Sequence, residues 1–274
     1  MIEYVCDQAQ TLKEFTDNTC AQASFAWQYL LKNKEIKVNG KKVCENVRLN
    51  AGDKVQYYLT KKQEEKQAFF IVYEDEQVLI IDKESGVNSE AVFAQLNKNE
   101  GGRCVFIHRL DRNTRGLMVF AKTQAAEKEL LLAFKEKRVE KRYHALCLGS
   151  ISTPSAVLVG YLQKDEKNAL VKVFDREKKG AEKIITEYWL IEKIENLNKL
   201  EVCLHTGKTH QIRAHLAHIG CPILGDMKYG NEEENKKRGI ARQALVAKYL
   251  SFSCGGVLAY LSGKTFTSRF EVCE

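Results

Sequence analysis

At 274 residues the chain has room for one large domain, or for a small module followed by a medium one, and it needs no staples to bury a core. Its 43 Lys and Arg against 36 Asp and Glu leave a formal charge of +7, which permits a polyanionic partner without requiring one. Nine cysteines, an odd count with no Cys-x-x-Cys pair, argue against a disulfide framework or a zinc ribbon and fit reduced thiols. No apolar run reaches the ~18 residues of a membrane span, and Glu3, Asp7, Glu14 and Asp17 interrupt any secretory leader, so a soluble cytoplasmic protein is expected.

Leu12 and Phe15, then Phe25, Trp27, Leu30 and Leu31, predict two short amphipathic helices. Ile36-Lys37-Val38-Asn39-Gly40-Lys41-Lys42-Val43 alternates around Asn-Gly, whose residues accept positive φ, and predicts a hairpin. Asn50 to Asp53 is a turn signal and Lys54 to Leu59 a strand. Residues 31–62 hold nine Lys/Arg against three acids, so most of the excess charge lies here. The polar run Lys61 to Gln67 suggests a linker, and the expected division is a module over 1–62, a linker over 63–69 and a larger domain over 70–274.

In that larger part, Phe69 to Asp82 predicts two strands around Glu74-Asp75, followed by a loop over Lys83 to Val87. Thr123 can cap a helix over 124–137 whose buried side holds Ala126, Leu130, Ala133 and Phe134. Tyr143 to Leu148 alternates as a strand, and 156–162, 169–174, 184–191 and 199–204 predict four more. Thr209 to Ile219 predicts a helix, with Ile212, Leu216 and Ile219 on one face and Gly220 and Pro222 ending it. Strands outnumber helices. The expected fold is α+β, with a mainly antiparallel mixed sheet flanked by helices, preceded by a small α/β module.

Chemistry concentrates in two segments. From Arg103 to Thr123, Asp111 sits among Arg103, Arg109, Arg112 and Arg115 and the chain then enters the apolar run Leu117 to Ala121. A lone carboxylate in a basic loop is held ionised where polyanionic RNA is also attracted. The second segment is Thr206-Gly207-Lys208-Thr209-His210-Gln211-Ile212-Arg213-Ala214-His215-Leu216.

Three motifs occur in a recognisable order: His108-Arg109-Leu110-Asp111-x-x-Thr114-x-Gly116-Leu117, Lys141-x-Tyr143-x-Ala145-Leu146-x-x-Gly149, and the segment from Leu200 to Leu216. The last continues into Gly220-x-Pro222-Ile223-x-Gly225-Asp226-x-Lys228-Tyr229-Gly230. Through them residues 70–274 resemble the RluA-like family of pseudouridine synthases. Residues 11–60 are similar to the small S-four-like RNA-binding module that often precedes that domain, through Val38-Asn39-Gly40 and Ala51-Gly52-Asp53-Lys54-Val55.

The resemblance implies that Asp111 is catalytic, that Tyr143 stacks on the target base, and that Arg213 pairs with the aspartate. RNA contacts are expected from Arg109, Arg112, Arg115, Lys208, His210 and Gln211, and from Lys37, Lys41 and Lys42 in the module. His108 either orients the turn or touches RNA; Lys83 and Lys228 are either phosphate contacts or surface cations. Four positions depart from the family pattern: Glu84 for a frequent Pro, Lys208 for Arg, Arg115 for a small residue, commonly Ser, and Val246 for a frequent His.

Converting uridine to pseudouridine breaks a carbon–nitrogen glycosidic bond and forms a carbon–carbon bond to the same uracil. The reaction is redox-neutral and its leaving group stays bound, so neither a metal nor a cofactor is expected. One ionised carboxylate in a pocket that keeps water from the ribose suffices, whereas hydrolytic glycosidases use two. One carboxylate is compatible both with a covalent adduct and with removal of the ribose 2′ proton to give a glycal. Phosphate-cradling glycine motifs are absent, so no nucleotide cofactor is expected. The partner is expected to be structured RNA, ribosomal before transfer RNA, and the active form a monomer. Two rivals stand beside this: a catalytically silent RNA-binding protein on the same fold, and a metal-dependent hydrolase using the cluster His205, His210, His215 and His218.

Overall fold

The computed structural model describes residues 1–99, 101–165, 170–240 and 242–272. The chain forms two compact units, Met1–Arg112 with Met118–Thr123, and Asn113–Leu117 with Gln124–Glu274.

The first unit opens with β1 (Ile2–Val5), β2 (Gln10–Thr11), and three short helices, α1 (Leu12–Thr19), α2 (Ala21–Phe25) and α3 (Trp27–Lys32). Helix α1 starts at a capping box: Thr11 Oγ1 accepts from the Glu14 amide, and Glu14 accepts from the Thr11 amide. Strands β3 (Ile36–Val38) and β4 (Lys41–Val43) follow, then β5 (Arg48–Leu49) and β6 (Lys54–Tyr57). Asn39 and Gly40 both have positive φ, 50° and 78°, the turn that Asn-Gly predicts. The antiparallel sheet β1-β6-β3-β4 covers a core of Leu12, Phe15, Trp27, Leu30, Ile36, Leu49, Val55 and Tyr57. Each such aliphatic or aromatic side chain contributes roughly 1.5–3 kcal/mol on burial.

The expected linker begins inside a helix, α4 (Lys61–Glu64). Thr60 and Gln63 make a second capping box, which stabilises a helical turn in a polar run. Then come β7 (Phe69–Glu74), the wholly buried β8 (Val78–Lys83), α5 (Ser89–Asn99) and β9 (Val105–Phe106). Strand β10 (Arg115–Ala121) passes from the second unit into the first. Its Phe120 stacks on Phe93 of α5 at 6.1 Å and meets Phe106 edge-on at 6.0 Å.

The second unit adds α6 (Gln124–Lys135), β11 (Val139–Leu148), β12 (Ser155–Asp165), β13 (Leu170–Phe174), β14 (Glu182–Ile194), β15 (Leu197–Leu204), α7 (Gln211–His218), α8 (Glu232–Lys237), β16 (Leu245–Phe252) and β17 (Thr265–Thr267). Its strands run in the order β13-β12-β14-β15-β11-β16, antiparallel throughout. The start of β10 adds a parallel pairing, Arg115 with Val246 and Gly116 with Ala247. The molecule is thus mixed α and β with a large, mostly antiparallel sheet flanked by helices, as expected. Helix α7 packs Ala214 onto Leu162, Val171 and Ile184 of that sheet.

The four strands expected between 156 and 204 are all present and longer than expected, except that the one placed over 169–174 is described from Leu170, position 169 lying outside the described residues. Helix α6 ends two residues early because Lys137 turns to φ 60° and the Arg138 amide closes on the Ala133 carbonyl at 2.7 Å. The eight described cysteines are free thiols. Among the described residues no helix is long and apolar enough to cross a membrane.

Candidate active site

Asp111 lies, half-buried, in the irregular segment between β9 and β10. Bonds on both sides fix that segment within the first unit. Buried Ser89, at the start of α5, donates its hydroxyl to the Leu110 carbonyl at 2.9 Å and accepts from the Leu110 amide at 3.0 Å. The Arg112 carbonyl accepts from Lys83 Nζ at 3.1 Å and from the Gly86 amide at 2.9 Å. His108 Nε2 accepts from the Val119 amide at 3.1 Å, which in a neutral ring leaves the proton on Nδ1.

Lys83 is 0% exposed, so it is neither a phosphate contact nor a surface cation. Its Nζ donates to the carbonyls of Glu84 and Val87, both at 2.9 Å, as well as to Arg112. Burial pushes its pKa down to about 7, and the negative charge of Asp111 opposes the fall. Three acceptors around one nitrogen match the three protons of an ammonium, so in this geometry Lys83 is a buried cation tying the segment together.

Arg112 has internal partners as well. Its Nη1 meets Asp17 Oδ2 at 2.5 Å and its Nη2 donates to Ser24 Oγ at 3.0 Å. Arg109 is the exposed arginine of the motif, ion-paired with Glu90 at 3.2 Å. Such surface pairs are worth at most about 1 kcal/mol, so Glu90 holds Arg109 only weakly.

In the second unit Tyr143 is 6% exposed on β11. The register of β11 against β16 shifts between Arg142 and Tyr143, an irregularity that re-aims the side chain after it. Arg213 projects from α7 and makes a two-pronged bond to Asp226, Nε to Oδ2 at 2.7 Å and Nη2 to Oδ1 at 2.9 Å. The resemblance had implied Asp111 as its partner; Asp111 belongs to the first unit, Tyr143 and Arg213 to the second. Burial raises the pKa of Asp226, but Arg213 and the amides of Lys228 and Tyr229 outweigh it and hold the carboxyl below its usual range. The Arg213 guanidinium lies 5.1 Å from the centre of the Tyr229 ring, whose hydroxyl bonds His210 Nδ1 at 2.9 Å.

Gln211, expected at the RNA, is 2% exposed. Its oxygen accepts from Thr206 Oγ1 and the Lys208 amide, and its nitrogen donates to the Ile185 carbonyl and Thr186 Oγ1, so it locks the loop before α7 onto β14. Lys208 is partly exposed and pairs with Glu182, while Lys228 is exposed. Arg115 is half-buried with its guanidinium 4.8 Å from the Phe270 ring centre. A bulky cation at this departing position is therefore carried by a C-terminal aromatic.

The four clustered histidines bond separately. His205 meets Glu187, His210 meets Tyr229, His215 meets Thr186 and His218 meets Asp175. Burial pulls His215 down to about 4, so it is neutral at pH 7. Among the described residues no group of three His, Cys, Asp or Glu is arranged to hold a metal ion.

Sequence reasoning missed Asp226 as Arg213's partner, although the acid stands inside the quoted Gly225-Asp226-x-Lys228 continuation. It also missed Ser89 and Asp17, which look like ordinary surface residues of helices in the sequence.

Residues 29–218 match the family model for RNA pseudouridylate synthase. The chain belongs to that family, and is a pseudouridine synthase, an isomerase that modifies RNA. It is 32% identical over 232 residues to ribosomal large subunit pseudouridine synthase C of Rickettsia felis, covering 74% of this chain and 75% of that protein. It is 29% identical over 249 residues to ribosomal large subunit pseudouridine synthase D of Buchnera aphidicola, covering 79% and 77%. Human RNA pseudouridylate synthase domain containing 1 superposes with a TM-score of 0.60 at 26% identity, over 69% of this chain and 82% of that one.

Proposed function

We propose that this enzyme isomerises uridines of large-subunit ribosomal RNA with Asp111 as its catalytic carboxylate. The observation that carries the catalytic assignment is the construction of the motif loop. Ser89 holds the residue before Asp111 by two bonds and the Arg112 carbonyl after it takes two more, from Lys83 and Gly86. A catalytic group must be held in place before its substrate arrives, and no comparable bracing is needed by a carboxylate that serves only as a surface charge. Ribosomal RNA as substrate is supported by the names of the bacterial relatives.

In the proposed reaction the ribose C1′–N1 bond breaks, the uracil turns while still bound to the enzyme, and C1′ bonds to C5. The C5 proton leaves and N1 takes one up, so atoms and charge balance without an outside reactant. Asp111 meets the nucleoside during bond cleavage, and the Tyr143 ring supports the base once it is out of its stack. Arg213 contributes positive charge and shape, anchored by Asp226.

Residues 1–62 are proposed to act as an S-four-like RNA-binding module. Lys37 and Lys42 stand directly opposite each other on β3 and β4, an arrangement of like charges that costs stability and that a phosphate relieves. Arg109, Lys41, Lys208 and Lys228 are the further proposed contacts. The proposed setting is the cytoplasm and the proposed active state a monomer.

Mapping pseudouridines across large-subunit ribosomal RNA, in cells with and without the gene, tests the substrate. The expected result is one or more sites that vanish and return with the wild-type chain only. Unchanged ribosomal RNA with sites lost from transfer RNA would overturn it.

A further inference from the structure

We propose that Asp17, on α1 of the N-terminal module, is a positioning residue for the loop that carries Asp111 and acts through Arg112. The inference rests on the assignment of Asp111 as the catalytic carboxylate. It concerns a residue outside the three motifs, in the part of the chain expected only to bind RNA.

Three side chains close a ring. Arg112 Nη1 meets Asp17 Oδ2 at 2.5 Å, Arg112 Nη2 donates to Ser24 Oγ at 3.0 Å, and Ser24 Oγ donates to Asp17 Oδ1 at 2.6 Å. Lys13, one turn earlier on α1, adds its ammonium to the same carboxylate. Asp17 is only 14% exposed, and burial would raise its pKa, but these donors outweigh that and keep it below the usual carboxylate range. An isolated surface ion pair would be worth little. Here two donor nitrogens of one planar guanidinium are fixed on two different acceptors, which sets its orientation as well as its position.

The geometry reaches Asp111 from both directions. Arg112 is its immediate neighbour, gripped at the side chain by Asp17 and Ser24 and at the carbonyl by Lys83 and Gly86. Leu110, on the other side, is gripped by Ser89 of α5. Helix α5 is in turn bonded to the module: Asn88 Nδ2, just before it, donates to Asn18 Oδ1 at 3.1 Å, and Gln22 Nε2 donates to Gln95 Oε1 at 3.4 Å. The module and the loop's two anchors therefore form one bonded cluster. Without the Asp17 carboxylate, Arg112 loses its fixed orientation and the peptide linking it to Asp111 gains freedom. Misplacing a reacting group by about 1 Å can lower a rate about 100-fold.

The test uses the full chain and large-subunit ribosomal RNA transcribed with uridine tritiated at C5, so that turnover releases tritium. Single-turnover rates at saturating RNA and RNA dissociation constants are measured for wild type, Asp17→Asn, Arg112→Gln, the double variant, Asp17→Glu and Asp111→Asn. Asp17→Asn is expected to slow tritium release by about 10- to 100-fold while the dissociation constant stays within about 3-fold. The double variant should be no more than about 3-fold slower than the slower single, because both remove the same ring. Asp17→Glu should recover most of the rate. Multiplicative losses in the double variant, or a loss confined to RNA affinity, would overturn the proposal, as would a wild-type rate for Asp17→Asn. If Asp17→Asn does not fold, Ser24→Ala opens the same ring without removing a charge and is judged by the same criteria. Turnover by Asp111→Asn would identify failure of the catalytic assignment itself, separately from the clamp.

Discussion

Asp226 has a 0% exposed side chain facing an arginine that is 7% exposed. Such a pair stabilises little over a well-packed apolar pair, but removing one partner strands a buried charge and costs about 3–5 kcal/mol. Asp226→Asn is expected to lower the unfolding free energy at pH 7 by about 3 kcal/mol. The Asp226 pKa is depressed in the folded state, so its contribution is complete above the ordinary carboxylate range and is lost as pH falls through the folded value. The gap between wild type and variant should therefore narrow in acid. Urea unfolding at pH 7 and at pH 3 measures both, and a gap that widens toward pH 3 would contradict the pairing.

Tyr143 poses a different residue-scale question, since a tyrosine that is 6% exposed is packed whether or not it meets a base. Tyr143→Phe keeps the ring, and Tyr143→Leu keeps the burial while losing the flat face. Stacking worth about 1–3 kcal/mol per base predicts a single-turnover rate about 5- to 150-fold slower for Leu than for Phe, with similar melting temperatures. Equal rates would make the ring a packing element only. The residue types at 83, 111, 143, 211 and 213 were legible in the sequence, but their partners were not. Lys83 and Gln211 look like phosphate contacts because lysine and glutamine usually reach solvent; here one cation and one amide instead satisfy backbone groups that folding would otherwise bury unpaired.

At the scale of elements, α5, β9, β16 and β17 went unpredicted, whereas the hairpin at Asn39-Gly40, strands β7, β8 and β11 to β15 and helix α7 followed from pattern. Helices α4 and α8 did not, because neither carries an apolar stripe. Local chemistry builds them. A Thr60–Gln63 capping box starts α4. In α8 the Asn231 side chain accepts from the Glu234 amide, with three acids in the first turn and two lysines in the last. Strand β10 enters the sheet at Gly116, where φ is 116° and an added Cβ would lie 2.3 Å from the Ala247 carbonyl oxygen. Only glycine lets β10 and β16 approach that closely. Gly116→Ala is expected to destabilise the fold by at least about 3 kcal/mol, from strain and lost pairing together. A thermal melt within about 2 °C of wild type, which corresponds to about 1 kcal/mol for a chain of this length, would show that the neighbouring strand yields.

Across the whole molecule, the net charge of +7 understates the local field, since residues 31–62 carry nine Lys/Arg against three acids. Binding through phosphates releases counterions, so affinity should fall steeply with salt. Replacing Lys37, Lys41 and Lys42 together with Gln should flatten the plot of log affinity against log salt by about 2 to 3, with little change in the single-turnover rate at saturating RNA. An unchanged slope would remove the hairpin from the RNA contact. The basic module was legible in composition. Its bonding to the loop that carries Asp111 was not: Ser24 lies 88 residues from Arg112 and Asn18 lies 70 from Asn88, and sequence spacing carries no signal of such contacts.

The most direct test of the single-carboxylate chemistry is tritium release from C5-labelled large-subunit ribosomal RNA by Asp111→Asn, beside a binding measurement on the same RNA. The substitution keeps size and shape and removes only the charge. Wild-type affinity with no detectable release is the predicted result; release near the wild-type rate would take Asp111 out of the reaction.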